Sequence, residues 1–265
     1  MNKILERRGD EFLKRHGPSV EADWRQVSLL YRLTQSVSGM RTAEPLRMDP
    51  ESECIWYEWL GELPTLLDFD GDELHELLRK AGRGLACLQE MSVTECVNAA
   101  TGSTLPLDMF RLDEESAGEC NALLPIGFFH GDCWHGNIHV DRNSDCVLID
   151  PVQSPWLFGQ QRFERANGIV DIATLHMSLL VSVKLGELVG LDVEQRLAWG
   201  DLLLDSYLEH FDAGSLKKVA LRLSHAIATK YVASYPVRIN WLVGLIKRGL
   251  SGRVLVTAAT RGFEN

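Results

Sequence analysis

The spacing of apolar residues divides the chain into a short strand-like beginning and a long helical remainder. "KILERR" and "EFLKR" flank Gly9-Asp10, a pairing of extended runs across a Gly-Asp step that predicts a β-hairpin with Lys14 inside its second strand. After Gly17-Pro18-Ser19, residues Val20, Trp24, Val27 and Tyr31 recur at helical spacing. Ser19 is the expected N-cap, and Glu21 and Asp23 fall in the first turn. A polar passage leads to "CIWYEWLGE", Cys54 to Glu62, whose aromatic and apolar content predicts a buried strand running into a glycine turn.

From Asp72 the period lengthens. Leu74, Leu77, Leu78, Leu85 and Leu88 form one stripe of a long helix, a core-packing pattern that Gly82 and Gly84 oppose by propensity. Ser92 to Leu124 reads as a loop with a short helix. "IGFF" then leads to two short strands, "NIHV" and "CVLI", around the turn-like "DRNSD". From Ile169 onward the period is helical, with breaks expected at Gly190-Leu191-Asp192 and Tyr235-Pro236. There is no internal repeat, and the boundary between the two regions falls near Gly61, giving expected units of 1–60 and 61–265.

Composition narrows the class without naming a function. Apolar residues make up 45% and charged residues 24% of the 265 residues, as in ordinary globular proteins. The formal charge of −10 and the lack of a Lys/Arg stripe argue against nucleic acid as a partner. "LHMSLLVSVKLGELVGL" and "INWLVGLIKRGL" are interrupted by charges before the roughly 20 residues needed to span a bilayer, so both are expected as buried helices. The N-terminus lacks the apolar stretch of a signal peptide. Six cysteines without a CxxC pair suggest neither a disulfide framework nor a zinc ribbon, and a reducing cytoplasm suits them.

The chemistry concentrates in "HGDCWHGN", His130 to Asn137, and "LIDP", Leu148 to Pro151. If "NIHV" and "CVLI" pair antiparallel, Asn137 and Asp150 meet at one edge of the hairpin, and an amide oxygen beside a carboxylate suits a hard cation such as Mg²⁺. Asp132 enters the same edge and is placed to accept or orient the proton of an attacking hydroxyl. Two other readings of the stretch are weaker. A zinc cluster of His130, Cys133, His135 and His139 needs His135 and His139 on one helical face, which Gly136 and the following strand prevent. Cys133 as a nucleophile has no base placed for it, and Asp132 nearby disfavours its thiolate.

"HGDCWHGN" resembles the HxDxxxxN catalytic loop of aminoglycoside and choline phosphotransferases, and "LIDP" resembles their metal-binding Asp segment. The resemblance implies an α+β, two-lobed, protein-kinase-like fold with a small β-rich N-terminal lobe and a mainly helical C-terminal lobe. It makes Asp132 the catalytic base and Asn137 and Asp150 the Mg²⁺ ligands, with His130 bracing the loop. Asp171 in "GIVDIATL" matches the family's Asp-x-Ala, which ties a helix start back to that loop. Lys14 matches the strand lysine that contacts nucleotide phosphates, and Glu58, Trp59 and Leu60 match the segment entering the adenine-binding hinge. The implied reaction transfers the γ-phosphoryl group of ATP, or GTP, to a hydroxyl of a small molecule of the aminoglycoside, amino-alcohol or sugar class. "IDP" in place of DFG, with no APE following, favours a small acceptor over a protein.

The sequence departs from the family pattern in two places. The strand and phosphate-covering loop that normally precede the lysine strand are not held in full before Lys14. Gln26 stands where the helix carboxylate that pairs with the lysine is expected, with Glu21 a turn or more earlier. A catalytically weak or inactive kinase-like binding protein is therefore the competing expectation, and a protein Ser/Thr kinase is a third.

Overall fold

The computed structural model describes residues 5–97, 103–181 and 193–234. In chain order the elements are β1 (Leu5–Arg8), β2 (Glu11–Arg15), α1 (Val20–Thr34), β3 (Met40–Arg41), β4 (Pro45–Asp49), β5 (Cys54–Glu58) and α2 (Gly71–Val97). They continue with α3 (Glu114–Leu123), β6 (Ile126–Gly127), β7 (Ile138–Val140), β8 (Cys146–Leu148), α4 (Pro155–Phe158), β9 (Ala166–Asn167), α5 (Ile169–Val181), α6 (Val193–Leu208) and α7 (Lys217–Ser234). The breaks expected at 190–192 and 235–236, and the buried helix expected at 239–250, lie outside the described residues. Among the described residues no helix is long and apolar enough to cross a membrane.

The first hairpin forms as its Gly-Asp step predicts, with Arg8 opposite Glu11 and Leu5 opposite Lys14. It is one side of an antiparallel sheet ordered β1-β2-β5-β4, in which Lys14 faces Ile55 across the β2–β5 pair. Strand β4 escapes a periodicity reading because "PLRMD" is an edge strand that begins with proline and buries none of its residues, so no alternation is required of it. Arg47 on that edge stacks on Trp56, 4.3 Å from its ring centre, and reaches Glu11 at 2.7 Å.

Helix α1 belongs to two cores. Val20 and Val27 pack with Ala43, Ile55 and Tyr57 beneath the four-stranded sheet. Leu30 and Leu33, further along the same helix, enter the large core with Val37 and Met40. Strand β3 then pairs in parallel with β8, so the chain is stitched into the helical region before it returns to complete the first sheet. Ser19 occupies the N-cap position of α1, but its hydroxyl goes instead to His16 O and Asp23 Oδ2.

The large core is built on α2, which packs on α6, and on α5, which packs on α6 and α7. All five leucines of the α2 stripe are buried. Each contributes about 2 kcal/mol by burial, which outweighs the roughly 1 kcal/mol that a helical glycine costs. Gly82 and Gly84 are explained by close approach. A Cβ at Gly82 would lie 2.7 Å from the Leu203 carbonyl oxygen of α6, and one at Gly84 would lie 2.3 Å from Met40 Cγ.

Candidate functional site

The β7–β8 hairpin forms with Ile138 opposite Leu148. One step beyond this pair, Ile149 N donates to Asn137 O at 3.0 Å, so Asn137 and Asp150 emerge at the same end of the two strands. Asp150 lies in the left-handed region at φ 55, immediately before Pro151. Proline disfavours right-handed helix in the residue before it, and Asp is among the few side chains that tolerate the left-handed well.

The loop from His130 to Asn137 is held at both ends by α5. Asp171, in the first turn of that helix, accepts from His130 N at 2.6 Å and Gly131 N at 3.1 Å. Two turns later Ser178 Oγ accepts from His135 N at 2.9 Å. Gly131 has φ 76, and a Cβ there would lie 2.7 Å from Gln153 Cγ, so both backbone and space demand glycine. His130 Nε2 donates to Ile149 O at 2.8 Å, bracing the loop against the hairpin strand. Burial lowers its pKa to about 4, so the ring is neutral at pH 7. Burial raises the pKa of Asp171 to about 6, against the opposing effect of its two backbone donors.

Within the loop, Asp132 has both carboxylate oxygens engaged. Ser154 Oγ donates to Oδ1 at 2.7 Å, and Asn137 Nδ2 donates to Oδ2 at 3.0 Å and to the Asp132 carbonyl at 2.9 Å. The Asn137 amide nitrogen is thereby committed to Asp132, which makes its oxygen the atom that Asn137 would offer a cation. Lys14, 3% exposed, crosses from the first sheet and forms an ion pair with Asp150 Oδ1. Lys14, Asp132, Asn137 and Asp150 thus converge where the first sheet meets the β7–β8 hairpin.

Glu58, Trp59 and Leu60 sit at the end of β5, beside the β1–β2 turn. Trp59 N donates to Asp10 O at 2.8 Å, and Leu60 packs on the small core. Glu58 lies three residues along β5 from Ile55, the partner of Lys14, which is about 10 Å of extended chain.

The helix position expected to hold a carboxylate has another use here. Gln26 Nε2 donates to the carbonyls of Phe129 at 3.0 Å and His130 at 3.4 Å, binding α1 to the start of the loop. Glu21 is exposed. The buried carboxylate of α1 is Asp23, which accepts from His16 Nδ1 at 3.0 Å and Arg162 Nη2 at 2.7 Å. Burial works to raise its pKa, but these donors prevail and hold it below the usual carboxylate range. Tyr57 OH contacts His16 Nε2 at 2.9 Å, completing a buried chain from the first sheet to the segment after "LIDP".

The zinc alternative has no geometric support. His135 contacts Ser178, His139 Nδ1 contacts Leu63 O at 2.9 Å, and among the described residues no group of three or more His, Cys, Asp or Glu could hold a metal ion. Cys133 is buried, and burial first, with Asp171 and Asp132 adding, pushes its thiol well above the ordinary range. Such a thiol is inert. Ser154 is the site residue that no sequence signal marks. As the residue before Pro155 at the start of α4 it reads as a helix cap, yet its hydroxyl makes no capping bond and serves Asp132.

This arrangement of a small antiparallel sheet, a linking helix, a hairpin bearing Asn and Asp, and a mainly helical remainder is the two-lobed α+β fold of the protein-kinase-like group. Among solved structures the chain is similar to a glucosamine kinase in complex with glucosamine, ADP and inorganic phosphate, 16% identical, with 98% of this chain and 82% of that chain covered and a TM-score of 0.64. It is also similar to aminoglycoside phosphotransferase APH(4)-Ia, 10% identical, covering 96% and 93%, TM-score 0.53. Choline kinase LicA from Streptococcus pneumoniae is 12% identical, covering 96% and 89%, TM-score 0.50. No family model matches the sequence. No curated protein sequence matches it either.

Proposed function

We propose that the protein is an ATP- and Mg²⁺-dependent phosphotransferase that moves the γ-phosphoryl group to a hydroxyl of a small molecule. The observation that carries this reading is the convergence of Lys14, Asp132, Asn137 and Asp150 at one junction, with Asp132 held by two donors and no part in the fold's core. The solved structures of like fold, described as kinases of glucosamine and choline and as an aminoglycoside phosphotransferase, support the same reaction class.

Asn137 and Asp150 are the residues that would hold Mg²⁺, and an amide oxygen with a carboxylate is a donor set that fits a hard cation which retains water and phosphate ligands. When bound, the metal neutralises phosphate charge. Lys14 then exchanges its contact with Asp150 for the nucleotide phosphates. Glu58, Trp59 and Leu60, about 10 Å along the sheet, receive the base. Asp132, fixed by Ser154 and Asn137, orients the acceptor hydroxyl and takes its proton as the new O–P bond forms and the bond to the departing nucleoside diphosphate breaks. The protein's contribution is positioning and charge stabilisation. The acceptor is an aminoglycoside, an amino-alcohol or a sugar, and the free thiols of Cys54, Cys87, Cys120, Cys133 and Cys146 suit a cytoplasmic protein.

A kinase-like binding protein without turnover is the second reading, favoured by Gln26, which gives Lys14 no helix carboxylate at that position. The two separate by experiment. The enzyme reading expects Mg²⁺-dependent ATP hydrolysis or transfer to an alcohol, abolished by Asp132→Asn and by Asp150→Ala. Nucleotide-induced thermal stabilisation without any turnover supports the binding protein, and no nucleotide effect at all sinks both.

A further inference from the structure

A buried ion pair often contributes no more to stability than apolar side chains of the same size would, because both charges must leave water. Asp23 of α1 is nevertheless 1% exposed, with Ser19 Oγ and His16 Nδ1 on one carboxylate oxygen and Arg162 Nη2 on the other. Two of these partners reach far along the chain. His16 follows β2, two residues beyond Lys14, and its other ring nitrogen meets Tyr57, the neighbour of Glu58 on β5. Arg162 comes from the segment after "LIDP". Asp23 therefore ties the two strands that bear Lys14 and Glu58 to a segment of the helical lobe. Gln26 does not make that tie, since its amide is spent on the Phe129 and His130 carbonyls.

The segment is in turn fastened to the loop that carries Asp132. Gln153, three residues after Asp150, holds both Phe163 N and Phe163 O with its side-chain amide, and its Cγ packs against Gly131, next to Asp132. Ser103 O accepts from Glu164 N at 2.9 Å and Arg165 N at 3.3 Å, and Leu105 N donates to Arg165 O at 2.8 Å. The Arg162 side chain is 38% exposed, so the ion pair can part at its solvent end while Asp23 keeps His16 and Ser19.

We propose that Asp23 and Arg162 are positioning residues that couple nucleotide binding at Lys14 to the segment fastened beside Asp132. The two-state element is their ion pair, closed while a nucleotide steadies β2 and β5 and open more often without one. Closure draws residues 162–165 onto α1, and Gln153 passes that constraint to Gly131 and Asp132. The proposal rests on the reading of Lys14 as a nucleotide contact.

The test is amide hydrogen exchange of the full chain with and without Mg²⁺ and ADP. The readout is the ratio of the two rates at β2 and β5 and at the bonded amides of Leu105, Phe163, Glu164 and Arg165. In the wild type the nucleotide should slow both groups, the second by about fivefold or more, the lower end of ordinary coupling between sites. Arg162→Met should keep the slowing at β2 and β5 and lose it at Leu105 and 163–165. A merely structural role would speed exchange there equally with and without nucleotide, leaving the ratio intact. Arg162→Lys should keep the response, because Arg162 meets Asp23 through the single nitrogen Nη2, which an ammonium can replace. The proposal is overturned by slowing confined to β2 and β5 in the wild type, by an unchanged ratio in Arg162→Met, or by an equal loss in Arg162→Lys. Slowing nowhere refutes the nucleotide reading and this proposal with it, a pattern distinct from the other three. If Arg162→Met does not fold, Asp23→Asn/Arg162→Met, which leaves no unpaired buried charge, decides by the same comparison.

Discussion

Asp171→Asn separates the stability of the loop from its geometry. The carboxylate is 2% exposed and accepts from two loop amides, with Gln89 Nε2 at 3.5 Å. Its pKa is raised from 3.8 to about 6, chiefly by burial. The native state therefore holds this proton more tightly than the unfolded chain does. Its stabilising contribution is fully present below about pH 4 and is lost as the pH rises through about 6. A shift of about two units corresponds to about 3 kcal/mol. Asn cannot titrate, but its amide nitrogen faces one of the two loop N–H groups and leaves it without an acceptor, a cost of about 1–3 kcal/mol at every pH. Denaturant unfolding of both proteins from pH 4 to 7 should show the stability difference moving by about 3 kcal/mol in favour of the variant. His130, with its pKa lowered to about 4, acts oppositely, contributing stability above about pH 6.5 that is lost as pH falls through 4. It is present in both proteins, so only the difference between them isolates Asp171. Phosphoryl transfer should fall about tenfold or more in the variant, even where the stability gap has closed, because the loop has lost an anchor. Parallel pH profiles, or a gap that moves the other way, would refute the reasoning.

Three further perturbations test the same framework. Ser154→Ala removes a donor from Asp132 without removing a helix cap, so kcat should fall about tenfold, with nucleotide KM unchanged and rescue by Ser154→Thr. A rise in KM with kcat preserved would show that the serine does not position Asp132. Gln26→Glu brings a carboxylate against two carbonyl oxygens, and an equilibrium melt should show a loss of about 1–3 kcal/mol. Tighter nucleotide binding by that variant would mean the helix position serves Lys14 after all. Gly82→Ala gains about 1 kcal/mol of helix propensity but forces a Cβ against the Leu203 carbonyl, an overpacking cost of about 1–3 kcal/mol. Its melting temperature should drop, and an increase would contradict the close packing of α2 on α6.

Much of this molecule is readable in its local sequence because local rules govern those parts. The Gly9-Asp10 hairpin, the leucine stripe of α2 and the meeting of Asn137 with Asp150 across β7 and β8 each follow from a period or a register that a few neighbouring residues fix. The edge strand β4 and the two-residue β3 carry no such period. Their positions depend on partners supplied by β5 and β8.

The chain alone therefore determined the first hairpin, the amphipathic α1, the strand β5, the leucine stripe of α2 and the loop in which Asp132 and Asn137 lie, and the resemblance of that loop to a known family implied the two-lobed α+β class. Only the tertiary structure decided what those side chains touch. Asp150 meets Lys14 from 136 positions away, and Gln26 turns to the Phe129 and His130 carbonyls instead of to the lysine. Ser154 abandons a helix cap for Asp132, and Arg162 crosses from the segment after "LIDP" to the buried Asp23 of α1. A period or a turn is an energy shared among adjacent residues, whereas a hydrogen bond between distant ones exists only once packing has brought donor and acceptor within about 3 Å.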